Sequence, residues 1–252
     1  MYLESEVRER LDPGQLEGGQ VDLEKVEADT KFLVPFTLYL GLSALQFGHA
    51  FTATNAVIPA LKIQQSWPAE QEDLYMTLLT SSSIVGLSIG CLAGGLIIQG
   101  GRRRTIIQFN ALGIVACALC AVNQFEVICV GRLIFGLVAG AIITASAKTI
   151  EETVPVHLLS NGYGQSTNIF ICFFIMVSLC MSMGMPESPE DLATTQFWRV
   201  IYLLPTPIMA TVIVLATTVY KEDSLEFLVK SDNFDEASRL ISRVYSGASE
   251  EE

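Results

Sequence analysis

The residues of this chain with chemistry to offer are the charges set inside or beside apolar sequence. Arg102-Arg103-Arg104 follow Gly100-Gly101 in a short break between two apolar runs. Glu151-Glu152 end another run just before Pro155. A triple arginine at a membrane surface anchors the inner face by default. With Glu151 and Glu152 on that same face, it would also lock neighbouring helix ends together through ion pairs. Arg132, preceded by Gly131, lies near the start of an apolar run. A charge there either faces a protein interior or aqueous cavity, or snorkels to the outer interface. The six cysteines (91, 117, 120, 129, 172, 180) offer less. Cys117 and Cys120 have CxxC spacing, but within an apolar run and without an acid or His nearby, so they read as small packing residues. No metal site is expected. Nor is there a nucleophile–base pair or a phosphate loop, so the chain does not read as an enzyme and no cofactor is expected.

These side chains must be positioned by the apolar runs around them. Half of the 252 residues are hydrophobic and only 17% are charged, where a soluble domain carries about a quarter charged residues. The mean hydropathy is +0.44. The net charge of -12 argues against a nucleic-acid partner, which would demand Lys and Arg. The acidity is concentrated at the ends: residues 1–31 hold nine acids against four bases, and 221–252 again nine against four. Between them, apolar runs fall at about 32–60, 74–99, 105–123, 127–148, 163–184 and 198–220. A helix needs roughly 20 apolar residues to cross the hydrocarbon layer, and helices satisfy their own backbone groups in lipid. The expected architecture is therefore an all-α integral membrane protein with six transmembrane helices. An acidic N-terminal tail (1–31) precedes the transmembrane domain (32–220), and an acidic amphipathic helix and tail (221–252) follow it.

Six spans place both termini on one side, together with the loops after the second and fourth runs. That side collects twelve of the fifteen bases, leaving Lys62, Arg132 and Arg199 for the other. The positive-inside rule puts it in the cytosol or matrix. Residues 1–31 lack the pattern of a secretory signal or a mitochondrial presequence, so the plasma membrane and the mitochondrial inner membrane both stay open. Small residues recur at Ser82, Gly86, Gly90 and Gly94, and again at Gly136 and Gly140. Such stripes let helices approach closely, either as ordinary packing or as a moving interface.

On these motifs the chain resembles the N-terminal half of a sugar porter of the major facilitator superfamily. Gly101-Arg102-Arg103 matches that family's loop after the second span. Gly131-Arg132 with Glu152 and Pro155 matches its fourth span, and Trp198-Arg199 before Pro205 and Pro207 its sixth. Asp223-Ser224-Leu225-Glu226-Phe227-Leu228 resembles the segment that follows. Pro186-Glu187-Ser188-Pro189 spells a similar motif, but between the fifth and sixth runs, and is set aside as a decoy. The resemblance implies two inverted three-helix repeats, half of a major facilitator fold, with a polar path along their axis. It implies a small polar, hexose-like solute, with Gln165 as the fifth-span amide that hydrogen-bonds it. Asn168, Gln46 and Asn55 are further amides for that path, each equally suited to bonding between helices. Arg102, Arg103, Arg132 and Glu152 fall in the family's gating and salt-bridge network.

Departures from the family pattern bear on function. Ala50 stands where proton-coupled relatives place an acid, and Ile98 where an acid or amide is usual. Leu225 replaces a proline and Glu226 an arginine, and no Lys or Arg occurs between Pro155 and Trp198. These changes imply an eroded inner gate. His49 is the one titratable neighbour in the first run, and a single His is more often structural. The chain is also half the family's length, so a second copy or other membrane subunits are expected to cover an open polar face, with the acidic ends as contacts. Two readings follow: a half-length carrier completed by a partner, or a transport-inactive subunit of a large membrane assembly such as a respiratory complex.

Overall fold

A computed structural model of the chain describes residues 29–160 and 162–244. Most of the acidic N-terminal tail and the last eight residues of the C-terminal one thus lie outside the described residues. Eleven α-helices and no strand occur among the described residues. They are α1 (Thr30–Gln64), α2 (Glu72–Ile97), α3 (Arg102–Cys120), α4 (Phe125–Thr153), α5 (Val156–Leu159) and α6 (Ser166–Ser182). There follow α7 (Pro189–Thr194), α8 (Phe197–Leu203), α9 (Thr206–Thr218), α10 (Leu225–Lys230) and α11 (Phe234–Val244).

Four stretches are long and apolar enough to cross a membrane: Glu72–Gly100, Phe125–Thr153, Tyr163–Ser182 and Phe197–Thr218. The first and third apolar runs also form long helices, α1 and α3, but carry more polar residues. Gln46, His49, Thr52, Thr54 and Asn55 interrupt α1, and three arginines open α3. The sixth run divides into α8 and α9, because Pro205 and Pro207 remove two backbone donors from the ladder.

The bundle is built around α4, which packs on α2, α3 and α1; α1 also packs on α6, and α3 on α9. The contact between α2 and α4 is the most extensive. Its cause is a reciprocal stripe of glycines. A methyl group added to Gly86 or Gly90 would collide with the carbonyl oxygen of Leu133 or Leu137 on α4. One added to Gly136 or Gly140 would collide with that of Ser83 or Leu87 on α2. The two backbones therefore touch with nothing between them, as small residues allow. The buried stripe on α2 runs through Leu79, Ser83, Gly86, Gly90 and Gly94. Ser83, not Ser82, heads it: Ser82 is half-buried and bonds back to the Leu79 carbonyl of its own helix at 2.9 Å.

The two ends of the bundle are closed differently. At the basic end, Arg102, Glu152, Asp223 and the short helices α10 and α11 converge. There the Asp29 N–H donates to the Val244 carbonyl at 2.8 Å, tying the start of α1 to the end of α11. At the opposite end, Gln64 staples α1 to the connection before α8. Its Nε2 donates to the carbonyls of Leu192 and Thr195, both at 2.8 Å, and its Oε1 accepts from the Trp198 indole at 3.1 Å. Trp198 is fully buried behind that staple. Ser188 of the Pro186–Pro189 segment sits at this end too, capping α7 by accepting from the Asp191 N–H.

Candidate functional site

Three groups of polar residues stand out against the apolar bundle. The first is the ion network at the basic end. Arg102 grips Glu152 with two hydrogen bonds, Nε to Oε2 at 2.9 Å and Nη2 to Oε1 at 2.7 Å. The side chains are only 8% and 4% exposed, so this is a buried, bidentate pair. Ser224 completes it by donating to Glu152 Oε2 at 2.5 Å. Asp223 caps α3, accepting from the backbone N–H groups of Arg102 (2.8 Å) and Arg103 (3.3 Å). The Arg103 side chain reaches the other way and donates to the Ala216 carbonyl at 2.8 Å, satisfying an otherwise orphaned acceptor at the end of α9. Glu151 pairs with Lys148 at 3.0 Å rather than with the arginines.

The ion network at this end is therefore closed despite the substitutions at 98, 225 and 226. Asp223 and Ser224, adjacent in sequence and overlooked as a pair, supply the acceptor and donor that the altered positions lack. Glu226 finds a cation within its own helix, Lys230 one turn on. That hydrogen bond, aided by the charges of Lys230 and Arg102, holds the Glu226 carboxyl below the usual carboxylate range.

The second group surrounds Arg132. Its residue is 1% exposed, which excludes snorkelling to an interface. Nη2 donates to the Ala50 carbonyl at 2.6 Å and to Ser83 Oγ at 2.8 Å, while Nε has no partner. The guanidinium lies 5.7 Å from the Tyr202 ring centroid and 6.0 Å from that of Phe135. No carboxylate shares an ion pair with it among the described residues. A neutral backbone carbonyl, that of Ala50, thus meets the arginine. His49 is equally enclosed: Nδ1 lies 2.9 Å from Ser178 Oγ, and the ring is wedged between Phe135 and Phe174.

The third group is the amides. Gln46 does not lie on an open face. It is 1% exposed, and its Nε2 donates to Asn110 Oδ1 of α3 at 2.7 Å. Asn110 thus satisfies the donor side of the Gln46 amide, while its buried Oε1 has no partner among the described residues. Asn55, Gln165 and Asn168 are exposed. Gln165 falls in the 3₁₀ turn Tyr163–Gln165, one residue ahead of α6 and not inside it. Its Oε1 accepts from Asn168 Nδ2 at 2.8 Å. On α1, Asn55 follows Phe51 by one turn, and Phe51 is 44% exposed. Asn55 and Asn168 thus lie open on α1 and α6, and Gln165 in the turn just ahead of α6.

Membrane-length helices, a buried arginine–glutamate pair at one end and amides left open on an apolar bundle describe a polytopic membrane protein. The chain belongs to the Sugar (and other) transporter family, which matches residues 36–252. It is similar to Hexose transporter 1 of Plasmodium knowlesi, 26% identical over 224 residues, which cover 83% of this chain and 44% of the relative. Solute carrier family 2, facilitated glucose transporter member 9, of Homo sapiens is 28% identical over 204 residues, covering 74% and 36%. Among solved structures, the proton:xylose symporter XylE bound to 6-bromo-6-deoxy-D-glucose superposes with a TM-score of 0.75 at 17% identity, covering 84% of this chain and 50% of that one. Inward-open XylE from E. coli gives 0.73 at 17% identity over 86% and 53%. The fold is that of the major facilitator superfamily, and the chain spans about half the length of the relatives it matches.

Proposed function

We propose that this chain is the half of a hexose-like carrier that holds Asn55, Gln165 and Asn168 against the solute path, completed by a complementary helical unit. The observation that carries the reading is the exposure of those amides on an apolar bundle. Lipid does not satisfy polar groups, whereas an amide offers donors and an acceptor suited to a sugar hydroxyl. The spans of α1, α2, α3, α4, α6 and α8–α9 then make six, with the basic end and both termini inside. A complementary unit of similar size covers the amides. The native mass of the assembly tells whether it is carried on the same polypeptide, a second copy or other membrane subunits. The intact Arg102–Glu152–Ser224 lock favours a working carrier over a transport-inactive scaffold.

Transport is uncoupled from protons in this reading. Asp and Glu are absent from sequence positions 74–125 and 127–150, and from α1, α6, α8 and α9. Arg132 is engaged by a neutral carbonyl. The apolar runs of this half hold no acid, and its buried His49 is engaged by Ser178, so this half offers no carboxylate to load and unload a proton during the cycle. Hexose uptake by reconstituted assemblies is expected to change less than twofold when a protonophore collapses an imposed pH gradient. Gln165→Ala or Asn55→Ala is expected to cut uptake at least tenfold, the worth of about 1.4 kcal/mol. A severalfold protonophore effect would reject the uncoupled mechanism, and unimpaired amide variants would reject the assignment of the path.

A further inference from the structure

A cleft at the end opposite the arginines has no part in the path just described. Its volume is about 350 Å3, within the roughly 300–1,000 Å3 of small-molecule sites. Its wall is an interlocked aromatic cluster. Trp67 lies 5.5 Å from Tyr75 and 5.7 Å from Phe125 between ring centroids, and Tyr75 lies 4.5 Å from Phe125. Ser66, in the left-handed region at φ 50°, turns the chain back so that the Trp67 N–H donates to the Lys62 carbonyl at 3.2 Å. The ring is thereby held under the rim at 8% exposure.

The rim divides into committed and free polar groups. Gln65 is committed: Oε1 accepts from the Trp67 indole at 3.0 Å, and Nε2 donates to Asn123 Oδ1 at 3.2 Å. These bonds orient Asn123 and leave its Nδ2 donors unused. Gln124 and Glu126, the next rim residues, have no side-chain hydrogen bond or ion pair among the described residues and are exposed. The free set is therefore an amide donor pair, a complete amide and a carboxylate, all beside an aromatic wall.

That set selects its ligand by chemistry. No Lys or Arg lines the cleft, so nothing there neutralises an anion. The three rings pack on one another and leave no aromatic cage for a cation. A neutral ring bearing several hydroxyls suits it: hydroxyls bond the amides and the carboxylate, and the apolar ring face lies on the aromatic wall. We propose that this cleft is an outer pyranose-binding subsite, formed by Asn123, Gln124 and Glu126 over Trp67, that gathers the solute before it reaches the path. The proposal rests on the hexose-carrier reading, but its test is separable from that reading.

The protein has two tryptophans, Trp67 in the cleft and Trp198 behind the Gln64 staple. D-glucose is titrated against the tryptophan fluorescence of the full chain in detergent micelles. A saturable change is expected, and it disappears in Trp67→Phe. Gln124→Ala and Glu126→Gln, both exposed and without a side-chain hydrogen bond or ion pair among the described residues, are expected to weaken the apparent Kd at least tenfold. L-glucose and glycerol serve as controls. No saturable change, an equal response to glycerol, or an unaltered Kd in both cleft variants would overturn the subsite. Binding without uptake in the reconstituted assembly would instead remove the carrier reading and leave the subsite standing. Uptake without the Trp67 signal would do the reverse.

Discussion

Glu152→Ala is expected to destabilise the folded bundle by about 3–5 kcal/mol, the cost of leaving a buried partner charge uncompensated. Arg102 is nearly enclosed, and Glu152 accepts two of its hydrogen bonds and the one from Ser224. No other acid bonds that guanidinium among the described residues; Asp223 is taken up by backbone N–H groups. Arg102→Met is expected to cost a similar amount for the mirror reason. The double variant Arg102→Met/Glu152→Met should cost far less than the sum, because it removes both charges and leaves apolar volume in their place. Unfolding in denaturant, followed by the near-UV signal in mild detergent, measures all three. Additive losses would show that the pair does not act as a unit.

The second large effect concerns the glycine seam. Gly136→Ala adds a methyl group against the Ser83 carbonyl, and Gly86→Ala adds one against that of Leu133. Both obstacles are backbone, so neither can swing aside as a side chain would. Overpacking in a closed core costs about 1–3 kcal/mol, occasionally more, and here it would also separate Ser83 from Arg132. Gly95 supplies the control on the same helix. It faces open space, with nothing within 4 Å of an added methyl. Gly95→Ala should therefore be neutral or stabilising by up to about 1 kcal/mol, through helix propensity alone. Thermal unfolding of the three variants in one detergent gives the comparison. Equal losses at all three sites would show that helix propensity or lipid contact, and not the seam, governs this face.

Much of this was legible in the sequence because membrane length, charge and backbone punctuation are local properties. The apolar runs became helices close to their expected bounds, and the arginines after Gly101 met Glu152 as their charges demanded. What was not legible depended on facing. Gln46, equally suited by its type to a polar path or to bonding between helices, turns to Asn110, 64 residues away on another helix. A near-neighbour shift separates Ser82, bonded within its own helix, from Ser83, which meets Arg132. The partner of Arg132 is a backbone carbonyl, and every residue has one of those, so no side-chain pattern could point to Ala50. Gln165 lies within the membrane-length stretch Tyr163–Ser182 of the fifth run, as the resemblance implies, but in its opening 3₁₀ turn, one residue before α6. The inner network reads as eroded at 98, 225 and 226, where the side chains the family uses are replaced. Asp223 and Ser224 close it from adjacent positions.

The most direct test of the central claim is uptake. The assembly containing this chain, extracted in mild detergent and reconstituted into liposomes, is to be loaded with radiolabelled D-glucose or another D-hexose against its L-enantiomer. Saturable uptake of the D-sugar, at least tenfold above the L-sugar, is the predicted result. Uptake that is absent, non-saturable or equal for the two enantiomers would contradict the carrier account and leave this chain a structural member of its membrane assembly.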